Sequence, residues 1–196
     1  MGRRRIISMC IPALGVALST VTACGSIAPG GPLRTVTEGG LPNFGVSSTM
    51  LAPGQPADMT AFVVNSAQDP VTLVSASLIP IGGHPTGRLI DLAVARDHDG
   101  LVGHGWPPGI PIRPFRGARL PHGQSNIIFG FEGPVAGRDY LTAGVKIRYR
   151  YHGHLYTMLA WSSATACVTR DKNASQRPCE QASKVARLAT QKLAGG

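Results

Sequence analysis

Residues 141–151 alternate without a break. Leu141, Ala143, Val145, Ile147, Tyr149 and Tyr151 take the odd positions, and Thr142, Gly144, Lys146, Arg148 and Arg150 the even ones. Successive side chains of an extended strand point to opposite faces, so this spacing specifies a half-buried β-strand with one apolar and one cationic face. His152-Gly153 then offers a two-residue hairpin turn, histidine being a poorer first turn residue than asparagine or aspartate. Such a turn fixes the register of the returning strand. Tyr149 falls opposite Tyr156, Ile147 opposite Met158 and Val145 opposite Ala160, all on the core face. Trp161 falls opposite Gly144, an aromatic ring covering a bare glycine backbone. Leu155, Leu159 and Trp161 lie on the other face, so another element must cover them or they form an exposed patch.

The preceding chain reads as further strands. Met59–Asn65 and Val71–Ile79 are β-rich apolar runs around the turn cluster Ser66-Ala67-Gln68-Asp69-Pro70, and they read as adjacent strands. Arg88–Ala95 is a third run, bracketed by Gly87 and by Asp97-His98-Asp99-Gly100. In Gly123–Glu132, Ile127, Phe129 and Phe131 point one way and Asn126, Gly130 and Glu132 the other. Trp106–Pro114 is too rich in proline for a central strand, because proline donates nothing to the ladder; it is a long crossover loop or a blunted edge. With 25 glycines and 16 prolines the chain favours turns and short strands. About seven short strands point to an all-β fold, a single antiparallel β-sandwich, Ig-like as first choice and another Greek-key sandwich as second. Ala182, Val185, Leu188, Ala189 and Leu193 recur at helical spacing and predict a short C-terminal helix starting near Pro178.

Arg3, Arg4 and Arg5 precede the mostly apolar run Ile6–Val21, and small residues follow: the n-h-c order of a secretory signal. The run is short and interrupted for a transmembrane helix, which takes roughly 20 apolar residues. It ends in Val21-Thr22-Ala23-Cys24. An aliphatic residue three before a cysteine and a small one just before it resemble the lipobox of bacterial lipoproteins. The resemblance covers the first two dozen residues only. It implies that 1–23 are removed, that Cys24 is lipidated, and that the protein sits outside the cytoplasm, anchored to the bacterial cell membrane. Each buried acyl CH₂ contributes about 0.8 kcal/mol, so a multi-chain anchor holds. Arg3-Arg4-Arg5-Ile6-Ile7 also loosely fits a twin-arginine signal, and the export route stays open. The expected organisation is a removed signal (1–23), a lipid-anchored flexible linker rich in Gly, Pro, Ser and Thr (24–56), a β-sandwich domain (57–169) and a basic tail (170–196).

The formal charge of +9 falls by three with the signal, and the tail from Arg170 carries six cations against Asp171 and Glu180. The body is therefore nearly balanced. A basic tail beside a membrane can meet anionic lipid, cell-wall polymer or an acidic envelope protein, while an exported protein does not meet nucleic acid. Cys10 leaves with the signal and Cys24 takes lipid. Cys167 and Cys179 remain, an even pair in an oxidising compartment, and a disulfide between them is expected.

No Gly-x-Ser-x-Gly elbow, His-Glu-x-x-His or phosphate loop is present, so no catalytic residue and no cofactor is assigned. His152 and His154, with Met50, Met59 and Met158 as soft donors, form the alternative of an extracytoplasmic copper site. Asp97-His98-Asp99-Gly100 reads as an aspartate-held turn, because Ala95 and Trp106 occupy the first and twelfth slots of a calcium loop. Trp106 among its prolines, and Trp161, are the binding candidates; packing of Trp106 over the open end of the core is the competing role. The expected function is a non-catalytic binding or interaction module of the cell envelope.

Overall fold

Two sheets face each other across one apolar core. The structure, a computed structural model, describes residues 27–28, 30–35, 37–38, 41–42, 45–95, 106, 111–135, 138–168 and 177–194. The signal segment, Cys24 and Asp97-His98-Asp99-Gly100 lie outside the described residues. In chain order the strands are β1 (Ile27–Ala28), β2 (Leu33–Thr35), β3 (Thr37–Glu38), β4 (Leu41–Pro42), β5 (Gly45–Leu51), β6 (Ala57–Asn65), β7 (Val71–Pro80), β8 (Leu89–Ala95), β9 (Ile112–Pro114), β10 (Arg119–Leu120), β11 (Gly123–Phe131), β12 (Tyr140–Tyr151) and β13 (His154–Val168). A helix, α1 (Arg177–Ala194), follows. One sheet runs β1-β13-β12-β7-β10, with β5 also on β13; the other runs β2-β6-β11-β8-β9. β3 and β4 pair with each other. The order β2-β6-β11-β8 against β7-β12-β13 is the Ig-like arrangement, and the long strands pair antiparallel. Among the described residues only β1 and β5 join in parallel, both on β13.

The β12–β13 hairpin has the register its sequence specifies: Tyr149 faces Tyr156, Ile147 faces Met158, Val145 faces Ala160 and Gly144 faces Trp161. His152 and Gly153 both have positive φ, 47° and 79°, as a type I′ turn requires. Ile127, Phe129 and Phe131 of β11 enter the core with Met59, Leu73 and Ile147. Each such side chain contributes about 1.5–3 kcal/mol on burial.

Three expectations fail. β6 and β7 are not neighbours. The Ser66–Pro70 turn carries the chain from one sheet to the other, so both strands bury their apolar residues in the shared core without pairing. Second, β12 does not keep one face throughout. A register shift between Thr142 and Gly144 turns Leu141 and Ala143 outward, where they pack under α1, while Val145, Ile147 and Tyr149 stay inside. One extra residue in a strand swaps the face of everything beyond it. Gly144, at φ 146°, sits in the shift; a Cβ there would meet the backbone of Ala160 and Ser162, so main chain rather than the Trp161 ring requires the glycine. Third, the sandwich begins before residue 57, and further upstream than Thr49-Met50-Leu51, the part of the expected linker that reads as an early strand. Within the expected linker, β2 pairs with β6 and β5 with β13.

Tyr149 explains why the early segment is held. It is fully buried, its ring stacks on Tyr156 with centroids 5.5 Å apart, and its hydroxyl accepts a hydrogen bond from Leu33 N–H at 3.2 Å. Leu33 is itself buried. A Cβ on Gly31 would lie 2.6 Å from the Tyr156 ring, so this glycine serves close approach rather than flexibility. Tyr149→Phe strands the Leu33 N–H and is expected to cost about 1–2 kcal/mol in urea denaturation. Burial pushes the Tyr149 hydroxyl above its ordinary range, against the pull of the Leu33 N–H and Arg34. Its folded pKa exceeds its unfolded one, so the associated stability is complete below about pH 10 and is lost as pH rises through the folded pKa. Repeating the urea titrations at pH 8 and at pH 10.5 should show a smaller alkaline loss in Tyr149→Phe than in the parent.

α1 packs on the outer face of the sheet containing β12 and β13, over Ile79, Ile81, Leu141, Ala143 and Trp161. It spans 18 residues from Arg177, one residue before the expected start at Pro178, with Glu180 in the first turn and Lys192 in the last, both suited to the helix dipole. The buried stripe also differs from the expected one. Ala182, Ala186, Ala189 and Thr190 face the sheet, whereas Val185, Leu188 and Leu193 are 39%, 53% and 48% exposed. Large side chains already project from the sheet, so the helix approaches on its small ones. Thr190 Oγ1 donates to Ala186 O at 2.8 Å.

Candidate functional site

Cys167, next to last in β13, is bonded to Cys179 in the first turn of α1, with the two Cα atoms 5.6 Å apart. Trp161 is half-buried beneath α1, so the exposed patch with Leu155 and Leu159 does not form. Leu159 alone remains exposed; Leu155 is half-buried and pairs with Ile27 of β1. Trp106 is half-buried, and its ring occupies the space a side chain on Gly130 would need. Gly130 belongs to the outward set of β11, so Trp106 lies against the outside of that sheet and not over the open end of the core.

Among the described residues the copper alternative gathers no ligand set. His152 and His154 are exposed at the hairpin tip, and His152 Nε2 lies 3.2 Å from Asp69 Oδ2. Met59 and Met158 are buried in the core, and the side chain of Met50 is outside the described residues. Among the described residues no three His, Cys, Asp or Glu side chains converge on a metal position.

The binding feature that the structure does assemble is the outer edge of β7. β10 pairs with β7 at Val71 and Thr72 only, and Leu73 exchanges backbone bonds with Gly117 and Ala118, both at 2.9 Å. From Val74 to Pro80 this edge has no strand beside it among the described residues. Alternate residues there turn N–H and C=O outward, and Pro80, which lacks an N–H, closes the run. The edge overlooks a groove of about 560 Å³ between the two sheets, lined by Val74, Ala76, Leu92, Ile112, Arg113 and Phe115 among others. A second hollow of about 330 Å³ continues along the same edge by Leu78, Gly87 and Leu89. Other edges carry short partners: β2 lies beside β6 at Val63–Asn65, β9, which follows Pro111 and ends in Pro114, lies beside β8 at Ala93–Ala95, and β1 and β5 lie beside β13 at Leu155–Tyr156 and Ser162–Val168. β7 carries no charged residue and no proline before position 80. Proteins ordinarily protect a strand edge of this kind.

Arg113 and Arg116 line the groove, and Arg119 stands beyond its end on β10. Arg113 Nε is buried with no hydrogen-bond acceptor among the described residues. Asp91 is the acid of the lining, and its Oδ1 accepts from its neighbour Leu92 N–H at 2.7 Å. None of these residues stands out in the sequence as a site. The signal that points to them is the proline-spaced run Pro111-Ile112-Arg113-Pro114-Phe115-Arg116, which is too short and too interrupted to complete the sheet beside β7.

No protein-family model matches this chain, and no curated protein matches it. Among solved structures it is similar to the ASH / PapD-like domain of human CEP192 (PapD-like domain 7), at 13% identity and a TM-score of 0.37, over 80% of this chain and 100% of that one.

Proposed function

We propose that this protein is an extracytoplasmic lipoprotein, moored to the cell membrane through lipid on Cys24, whose sandwich works by binding a partner rather than by chemistry. The observation that carries the binding role is the uncharged edge of β7, open among the described residues above an apolar groove, a surface that a free-standing sandwich would be expected to protect. The placement outside the cytoplasm is supported by the basic-apolar-small order before Cys24 and by the Cys167–Cys179 bond, which suits an oxidising compartment. The partner classes consistent with this placement are an envelope protein and a cell-wall polymer.

Intact mass spectrometry of the protein extracted from membranes tests the proposal. The expected mass is that of a chain beginning at Cys24, increased by a diacylglyceryl group and lowered by two hydrogens for the disulfide. An unprocessed chain recovered from the cytosol with reduced thiols overturns it.

A further inference from the structure

We propose that the free edge of β7 takes an extended, acidic segment of a partner protein as an added strand. This deepens the binding role proposed above and rests on it. From Val74 to Ile79 the edge spans about 20 Å at roughly 3.3 Å per residue, enough for a six-residue segment. The incoming backbone satisfies the outward N–H and C=O groups of β7, and alternate side chains of the guest enter the groove beside Ala76, Leu92 and Phe115. The charge of the rim selects the guest. Arg113 and Arg116 line the groove with a single acid, Asp91, whose Oδ1 already accepts from Leu92 N–H, and Arg119 adds a further cation beyond the groove's end.

The same charges argue against a second copy as occupant. Two β7 edges paired about a two-fold axis would bring the arginines of both copies to one interface, and like charges placed together oppose association. A purely anionic polymer would satisfy the arginines but would leave the apolar floor and the main-chain groups of β7 unmatched.

Capped eight-residue peptides alternating valine with glutamate, serine or lysine, each with a fluorophore, test this by anisotropy against the full purified chain. Binding is expected to be tightest for glutamate and weakest for lysine. N-methylation of alternate amides on one edge of the glutamate peptide should weaken binding at least tenfold, because that edge loses its donors. The double variant Arg113→Glu, Arg116→Glu should weaken the glutamate peptide at least tenfold and improve the lysine peptide, with unchanged near-ultraviolet circular dichroism showing that the fold is kept. Equal binding of the N-methylated peptides, no binding of the glutamate peptide, or equal competition by polyphosphate overturns the added strand. Self-association of the chain that excludes the glutamate peptide overturns the choice of partner. The mass of the native protein reports the lipid on Cys24 independently, so failure of this docking is distinguishable from failure of the lipoprotein assignment.

Discussion

Replacing Gly144 by alanine should destabilise the protein by about 4 kcal/mol. Two effects combine. At φ 146° the backbone occupies a region that L-residues rarely adopt, which costs about 1–3 kcal/mol. The new Cβ also meets Ala160 O and Ser162 N, which are main-chain atoms of the strand paired with it. Neither can swing away like the end of a flexible side chain, and overpacking of this kind costs a further 1–3 kcal/mol or so. Gly153→Ala is the matched control: its φ is 79° and nothing lies within 4 Å of the added carbon, so strain alone acts, at about 1–2 kcal/mol. Urea denaturation followed by circular dichroism separates the two. Equal losses in both variants would show that the register shift in β12 relaxes readily and does not depend on glycine.

That glycine also marks where reading the sequence stops. The alternation of 141–151 and the His152-Gly153 turn are local signals, and the pairing of Tyr149, Ile147, Val145 and Gly144 with their partners follows from them. The swap of faces at Thr142–Gly144 does not follow, because it answers to α1, an element some 40 residues further along the chain. The helix shows the same limit from the other side. Its period was legible, but its buried stripe depends on how far Trp161 and Leu141 project from the sheet. Gly31 looks like part of a flexible linker until Tyr149 and Tyr156 lie against it. The groove beside β7 is the least legible feature, since it is defined by a strand that is too short: β10 begins only at Arg119, opposite Thr72, and nothing local in Val71–Pro80 says so.

Removing the disulfide by Cys167→Ser with Cys179→Ser should cost about 3 kcal/mol, the chain-entropy value for a loop of about a dozen residues. The loss should fall unevenly. α1 docks on alanines and a threonine, which bury little area per residue, while its larger apolar residues face outward. At about 25 cal/mol per Å² such a face gives a helix weak hold of its own. The covalent link at its first turn therefore sets its local concentration over Trp161. Without the link, α1 should leave the sheet at lower urea than the sandwich unfolds. With Trp106→Phe as background, Trp161 fluorescence should then shift to the red before the far-ultraviolet β-signal falls, whereas in the disulfide-bonded parent the two transitions should coincide. Coincident transitions in both proteins would mean that the small-residue face holds the helix unaided, and that closeness of approach compensates for the area its side chains lack.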